Sequence, residues 1–273
     1  MKTSSRSYEG TFWVTPVCIL FFVFFLALFH TGCTSLELKS QWKDREIVID
    51  GKSKDWLGAL YYFEDENISA GFFNDEDNLY VCIIAEAQVM RAQVMMQGLT
   101  VWFDPDGGKK KTFGIRYPLM DRETMMRLRE EGESREGMQE HFQESLTEME
   151  ILGPREGARK QIKIQDAKGT EISLEASSGM LVYELKVPLV RTEHHPNFLL
   201  ADPGDRIGMG LEIPKPDMNA LRQKMGGPPP GGGVPPGGSR GGFGGRPGGG
   251  RGMSQFPGGL KVWIILQLAS AGE

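Results

Sequence analysis

The sequence predicts an all-β protein: a β-sandwich or jelly-roll of about nine to eleven strands, carrying a helical insertion and a disordered Gly/Pro-rich loop. Three observations carry this expectation. Apolar residues recur with period 2 in short runs from about residue 45 to the end of the chain. Clusters of Asn, Asp, Gly and Pro separate those runs and supply turns. The last apolar run follows the Gly/Pro tract, so the tract is an interior loop of one continuous domain.

The chain opens with a targeting segment, residues 1–33. Lys2 and Arg6 give a positive start, "VCILFFVFFLALF" (17–29) is an apolar run, and "HTGC" (30–33) sets small residues before a cysteine. An uncleaved signal anchor is the alternative, because the apolar stretch counted from Thr11 approaches the roughly 20 residues that span a bilayer. The ending resembles the lipobox of bacterial lipoproteins, with Thr31 and Gly32 in place and Leu28 upstream of His30. That resemblance implies a lipid, palmitate among its acyl chains, on Cys33, which becomes the first residue of a mature chain anchored in the cell envelope outside the cytoplasm. Thr34 is not the aspartate that retains such lipoproteins at the inner membrane, which implies the outer membrane. Without residues 1–32 the chain has 29 basic and 35 acidic residues. So acidic a chain lacks the basic face that phosphate neutralisation needs, and no nucleic-acid partner is expected. Cys18 lies in the apolar run, so Cys82 alone remains in the folded part and no intrachain disulfide is expected.

Residues 34–44 read as a short tether and 45–273 as the sandwich. "REIVID" sets Ile47 and Ile49 inward as a first strand, Asp50-Gly51 turns the chain, and Trp56 plugs the core. "ISAGFFND" and "NLYVCIIAEA" form a hairpin about "NDED" (74–77). "LTVWFDPDGGKKKTFGIRYP" (99–118) forms another about Pro-Asp-Gly-Gly. Residues 119–160 are charged and helix-favouring, with Met138, Phe142, Leu146 and Met149 spaced along one helical face, which predicts a helical insertion. Strands return with "KQIKIQD" and with "TEISLEASSGMLVYELKVPL" (170–189). "DRIGMGLEIP" (205–214) turns Ile207, Met209, Leu211 and Ile213 to one face, while Gly208 and Gly210 leave the other bare. Residues 226–259 hold 17 glycines and 7 prolines, too little side chain for a core. "LKVWIILQLAS" (260–270) then closes the fold as a strand.

The ordered set "IVIDGKSKDW", "FNDEDNLYVCIIAE", "VWFDPDGGKKKTFGIRY", "VYELKVPL" and the final apolar strand resembles the carbohydrate-binding family 9-like domain, a DOMON-type β-sandwich. Family members often recognise sugars, and the sandwich also serves for haem or as an accessory module. The resemblance thus implies non-catalytic binding of a glycan or other small ligand.

Sugars bind through aromatic platforms beside a few polar groups. Trp102 alternates against Val101 and Phe103, and Trp263 against Val262 and Ile264, so both are candidate outward-facing ligand contacts. Asp104 and Asp106 fit a turn better than a calcium loop, since the bidentate glutamate is missing. The 14 methionines and the His194-His195 pair raise haem or metal binding as a distant alternative, but the methionines fall where packing explains them. "SRGGFGGRPGGGRG" (239–252) looks like an RNA-binding segment, yet on a secreted acidic chain it reads as a flexible loop. There is no G-x-S-x-G, H-E-x-x-H or P-loop, so no enzyme is expected and no cofactor is implied. The other reading is a structural or assembly subunit of a cell-envelope complex, with the insertion and the Gly/Pro loop docking a protein partner.

Overall fold

A computed structural model describes residues 36–120, 127, 130–153, 157–177, 179–190, 198–214 and 259–272. The targeting segment with Cys33, the His194-His195 pair and nearly all of the Gly/Pro tract lie outside the described residues. Among the described residues no helix is long and apolar enough to cross a membrane.

Alternating sequence becomes two facing sheets. The first sheet runs β1 (Leu36–Lys39), β13 (Lys261–Gln267), β12 (Arg206–Glu212), β6 (Leu99–Asp104), β7 (Phe113–Tyr117), β8 (Glu148–Leu152) and β9 (Arg159–Lys163). The second runs β10 (Glu171–Ser177), β11 (Met180–Pro188), β5 (Asn78–Ala85), β4 (Ile68–Asn74) and β2 (Gln41–Trp42), with β3 (Leu60–Phe63) also paired to β4. β1 on β13 and β2 on β4 are parallel; the other pairs are antiparallel. The protein is an all-β sandwich. Val101, Phe103, Ile115, Met209 and Ile264 from one sheet meet Phe72, Val81, Tyr183 and Leu185 from the other in one buried core. Among the described residues, helices α1 (Gln88–Gln97) and α2 (Arg135–Ser145) lie in the connections.

Residues 36–42, expected as a tether, belong to the sandwich instead. Leu36–Lys39 pairs with the last strand and Gln41–Trp42 with β4, so the chain crosses from one sheet to the other at Ser40. That crossing is pinned by a buried polar knot. Ser40 Oγ donates to Asn74 Oδ1 at 2.5 Å, the Ala269 amide donates to Asn74 Oδ1 at 2.9 Å, and Asn74 Nδ2 donates back to the Ala269 carbonyl at 3.0 Å.

The expected strand at "REIVID" is not one. Residues 43–58, with one 3-10 turn at Ser53–Trp56, cover the outer face of the second sheet, where Ile47 and Trp56, with Ala59 beside them, bury Phe73, Tyr80, Cys82, Ile84 and Val182. Both faces of β5 are therefore buried, which explains its nearly unbroken apolar sequence. Trp56 is a core anchor, fully buried with its ring centroid 5.5 Å from that of Phe73. Its Nε1 donates to Glu184 Oε1 at 2.6 Å, and the Gly51 amide donates to Glu184 Oε2 at 2.5 Å. Burial pushes the Glu184 carboxyl above its ordinary range, against those two donors.

The helical insertion is shorter than expected. A helix occupies Arg135–Ser145, capped by Ser134 Oγ accepting from the Gly137 amide, but Glu148–Leu152 is a strand. Met149 is fully buried there beside Ile151, on period 2 rather than on a helical face. The side chains of Met138 and Phe142 lie outside the described residues. β9 then pairs with β8, so this region widens the first sheet by two strands.

Candidate binding site on the first sheet

The two sheets differ in their outer faces. The second is sealed by residues 43–58; on the first, the β6–β7 turn covers the end of β12 at Gly208, and beyond it the register sorts the outward side chains of β13, β12, β6 and β7 into two rows. Trp263 pairs with Gly210, Gly210 with Trp102, Trp102 with Gly114, Gly114 with Leu152 and Leu152 with Arg159. Two residues along, Lys261 pairs with Glu212, Glu212 with Thr100, Thr100 with Arg116 and Arg116 with Glu150. An aromatic row thus lies beside a charged one.

The glycines make the aromatic row possible. A Cβ on Gly114 would stand 2.6 Å from Trp102 Cε3, and one on Gly210 would stand 2.7 Å from Trp263 Cε2. Each indole therefore leans over the neighbouring strand's glycine, and both lean the same way. Both are half-buried. The structure brings the two sequence-predicted residues into one cross-strand row. Their Cα atoms are two strands apart, roughly 10 Å at 4.7–4.9 Å per strand.

Polar groups surround Trp102. Its Nε1 donates to Glu212 Oε2 at 2.9 Å, Lys111 pairs with the same carboxylate, and Lys111 Nζ lies 5.2 Å from the indole centroid. Burial opposes ionisation of Glu212, but Lys111 and Trp102 outweigh it and hold the carboxyl below its ordinary range. The β6–β7 turn sets Lys111 in place. Buried Asp104 accepts from the amides of Asp106, at 3.3 Å, and Lys110, at 2.8 Å, so this carboxylate braces a turn, as its sequence suggests. Among the described residues, no three His, Cys, Asp or Glu side chains group to hold a metal.

A cleft of about 820 Å³ opens between this turn and β9, with Thr100, Trp102, Arg116, Glu150, Arg159 and Glu212 in its lining. Trp263 lies outside it, further along the same row. Arg116 Nη2 donates to the Gln97 carbonyl at 3.0 Å, while its Nη1 stands 3.7 Å from Glu150 Oε2, an ion pair too long for a hydrogen bond. The sequence reading missed these charged residues. Glu150 falls within the expected helical insertion over 119–160, although its alternation with Met149 and Ile151 signals an outward strand position.

No family model matches the chain, and no curated protein matches it. Among solved structures, a carbohydrate binding module family 9 from Caldicellulosiruptor kristjanssonii in complex with glucose aligns with TM-score 0.34 and 11% identity, covering 67% of this chain and 81% of that one. A module of the same family and organism in complex with cellotriose aligns with TM-score 0.34 and 10% identity, covering 65% and 76%. Likeness at this level carries no argument about the site, and the sandwich stands on its own strand pairing.

Proposed function

We propose that this chain is a non-catalytic binding module that holds a glycan on the outer face of its first sheet, and that a lipid on Cys33 ties it to the cell envelope outside the cytoplasm, in the outer membrane. The observation that supports the binding reading is the single row in which Trp102 and Trp263 each lean over a glycine. The apolar face of a sugar ring stacks on an aromatic surface, while its hydroxyls need donors and acceptors nearby. The row beside the tryptophans supplies both, through Thr100, Arg116, Glu150, Glu212 and Lys261. Two indoles two strands apart suit two rings of one chain. The anchor rests on the sequence alone: several acyl chains at about 0.8 kcal/mol per buried CH₂ hold far more firmly than one.

A glycan array probed with the purified full-length chain in detergent identifies ligands, and calorimetry then compares wild type with Trp102→Ala and Trp263→Ala. Each variant should bind about tenfold more weakly or worse, the scale of one lost aromatic contact, while keeping its circular dichroism spectrum. Wild-type affinity in both variants would sink the proposal. For the anchor, radiolabelled palmitate should enter the wild-type chain in cells and not Cys33→Ser; equal labelling would refute it.

A further inference from the structure

We infer that the ligand of this face is an anionic glycan, its carboxylate or sulfate held by the guanidinium groups of Arg159 and Arg116 at the β7–β9 end of the aromatic row. The inference rests on the glycan-binding reading above and names the ligand class. Four cations, Lys110, Lys111, Arg116 and Arg159, line the cleft against two carboxylates, Glu150 and Glu212. The whole chain, by contrast, carries a net charge of −5. A locally positive cleft on an acidic protein is where an anion concentrates.

The pairing inside the cleft shows which of these charges is spare. Lys111 is taken by Glu212, and Lys110 by Asp106 at 3.0 Å. Arg116 and Glu150 meet only loosely, at 3.7 Å, and Glu150 Oε2 is buried with no hydrogen-bond partner in the structure. Arg159 is exposed on the edge strand β9, and its guanidinium has no hydrogen-bond or ion-pair partner among the described residues. Among the described residues, positive charge is thus left over on the β7–β9 side of the cleft.

Register places that charge on the path of the ligand. Arg159 ends the row Trp263–Gly210–Trp102–Gly114–Leu152–Arg159, three strands from Trp102, and Arg116 stands in the adjoining row. A sugar chain laid on the two indoles therefore reaches the guanidinium groups with its next rings. The planar, fixed donors of arginine match the two oxygens of a carboxylate or sulfate better than they match a lone hydroxyl.

The test titrates the full-length chain with galacturonate oligomers and their methyl esters, and with a sulfated oligosaccharide and its desulfated twin. At least one charged probe should bind about tenfold tighter than its neutral twin, the scale of one charge-assisted hydrogen bond at a partly exposed site. Added salt should narrow the gap. Comparing the two pairs tells carboxylate from sulfate. Arg159→Gln, at an exposed position, should lower the preference, and adding Arg116→Gln should erase it. Lys54→Ala, which removes the same charge from the cover of the other sheet, should leave it intact. Equal binding of charged and neutral twins, a preference that survives the double variant, or one lost equally in Lys54→Ala overturns the inference while leaving Trp-dependent glycan binding in place. Silence from every charged and neutral glycan overturns both readings.

Discussion

Replacing Glu184 tests whether one buried carboxylate holds down the cover of the second sheet. Glu184 is fully buried and receives two donors, Trp56 Nε1 at 2.6 Å and the Gly51 amide at 2.5 Å. In Glu184→Ala both donors lose their acceptor in a site without water access, at about 1–3 kcal/mol each, or roughly 2–6 kcal/mol together before any cavity cost. In Glu184→Gln one oxygen remains for one donor while the new amide NH₂ faces the other, so about 1–3 kcal/mol is lost. The alanine variant therefore forfeits a large part of the roughly 5–15 kcal/mol that holds a domain folded. Urea unfolding followed by circular dichroism measures both variants, read as midpoints at constant slope. An alanine cost below about 1 kcal/mol, or equal costs for the two variants, would refute the two-donor account.

The same comparison has a pH signature. Burial raises the Glu184 carboxyl above its unfolded value, so the folded state holds that proton more tightly. Its contribution is then complete below the unfolded carboxyl value and is lost as pH rises through the folded one. Glu184→Gln removes this titration, so the stability advantage of wild type over the variant should be largest in acid and narrow toward neutrality. Glu212 and Asp75 are shifted the opposite way, but both proteins share them and they cancel in the difference. An advantage that widens from acid to neutral pH contradicts the sign.

Three further outcomes follow from single contacts. Gly210→Ala would set a Cβ 2.7 Å from the Trp263 ring and displace it; glycan affinity should drop about tenfold by calorimetry with a stability loss of about 1–3 kcal/mol, and unchanged affinity would separate Trp263 from the site. Asn74→Ala strands the Ala269 carbonyl that Asn74 Nδ2 serves and removes one acceptor of its amide, which should cost roughly 1–3 kcal/mol in urea melts and speed exchange of the Ala269 amide; wild-type exchange there would argue against the knot. Burial, and then the Glu184 charge, push the Cys82 thiol well above its ordinary range, so iodoacetamide should mark the Cys82 peptide only as fast as the protein unfolds, and rapid native labelling mapped by mass spectrometry would contradict that burial.

What the sequence made legible was the local period, and what it hid was pairing at a distance. Strands β5, β6, β7, β11, β12 and β13 alternate strongly enough to announce themselves, and the same alternation put Trp102 and Trp263 outward. β1 is four residues long and mostly exposed, and its sheet partner among the described residues is β13, more than 200 residues later, so nothing local distinguishes Leu36–Lys39 from a tether. β8 was masked by coincidence: Leu146 and Met149 continue the helical spacing across Thr147, although the helix stops at Ser145 and period 2 takes over. The charged row was out of reach for the same reason as β1. Glu212 joins Trp102 across 110 positions, and only the strand order sets Glu150 beside Arg116.

The unequal treatment of the two outer faces is the strongest argument for where function lies. A strand of a sandwich normally alternates between a buried and a wet side. In the second sheet the chain spends residues 43–58 to bury the outer side of β4, β5 and β11 as well, down to a carboxylate that binds only the cover. That face is committed to stability. In the first sheet, outward positions that ordinary solubility would fill with small polar groups hold two tryptophans on glycines, and glycine in a strand interior weakens it. Packing gives no reason to keep Gly114 and Gly210 at those positions except to seat the indoles, and the indoles remain half-exposed once seated. A face that gives up strand stability to hold aromatic rings at the surface supports the proposal of a ligand that stacks on them, and the spare arginine charge at its end supports the proposal that this ligand is anionic.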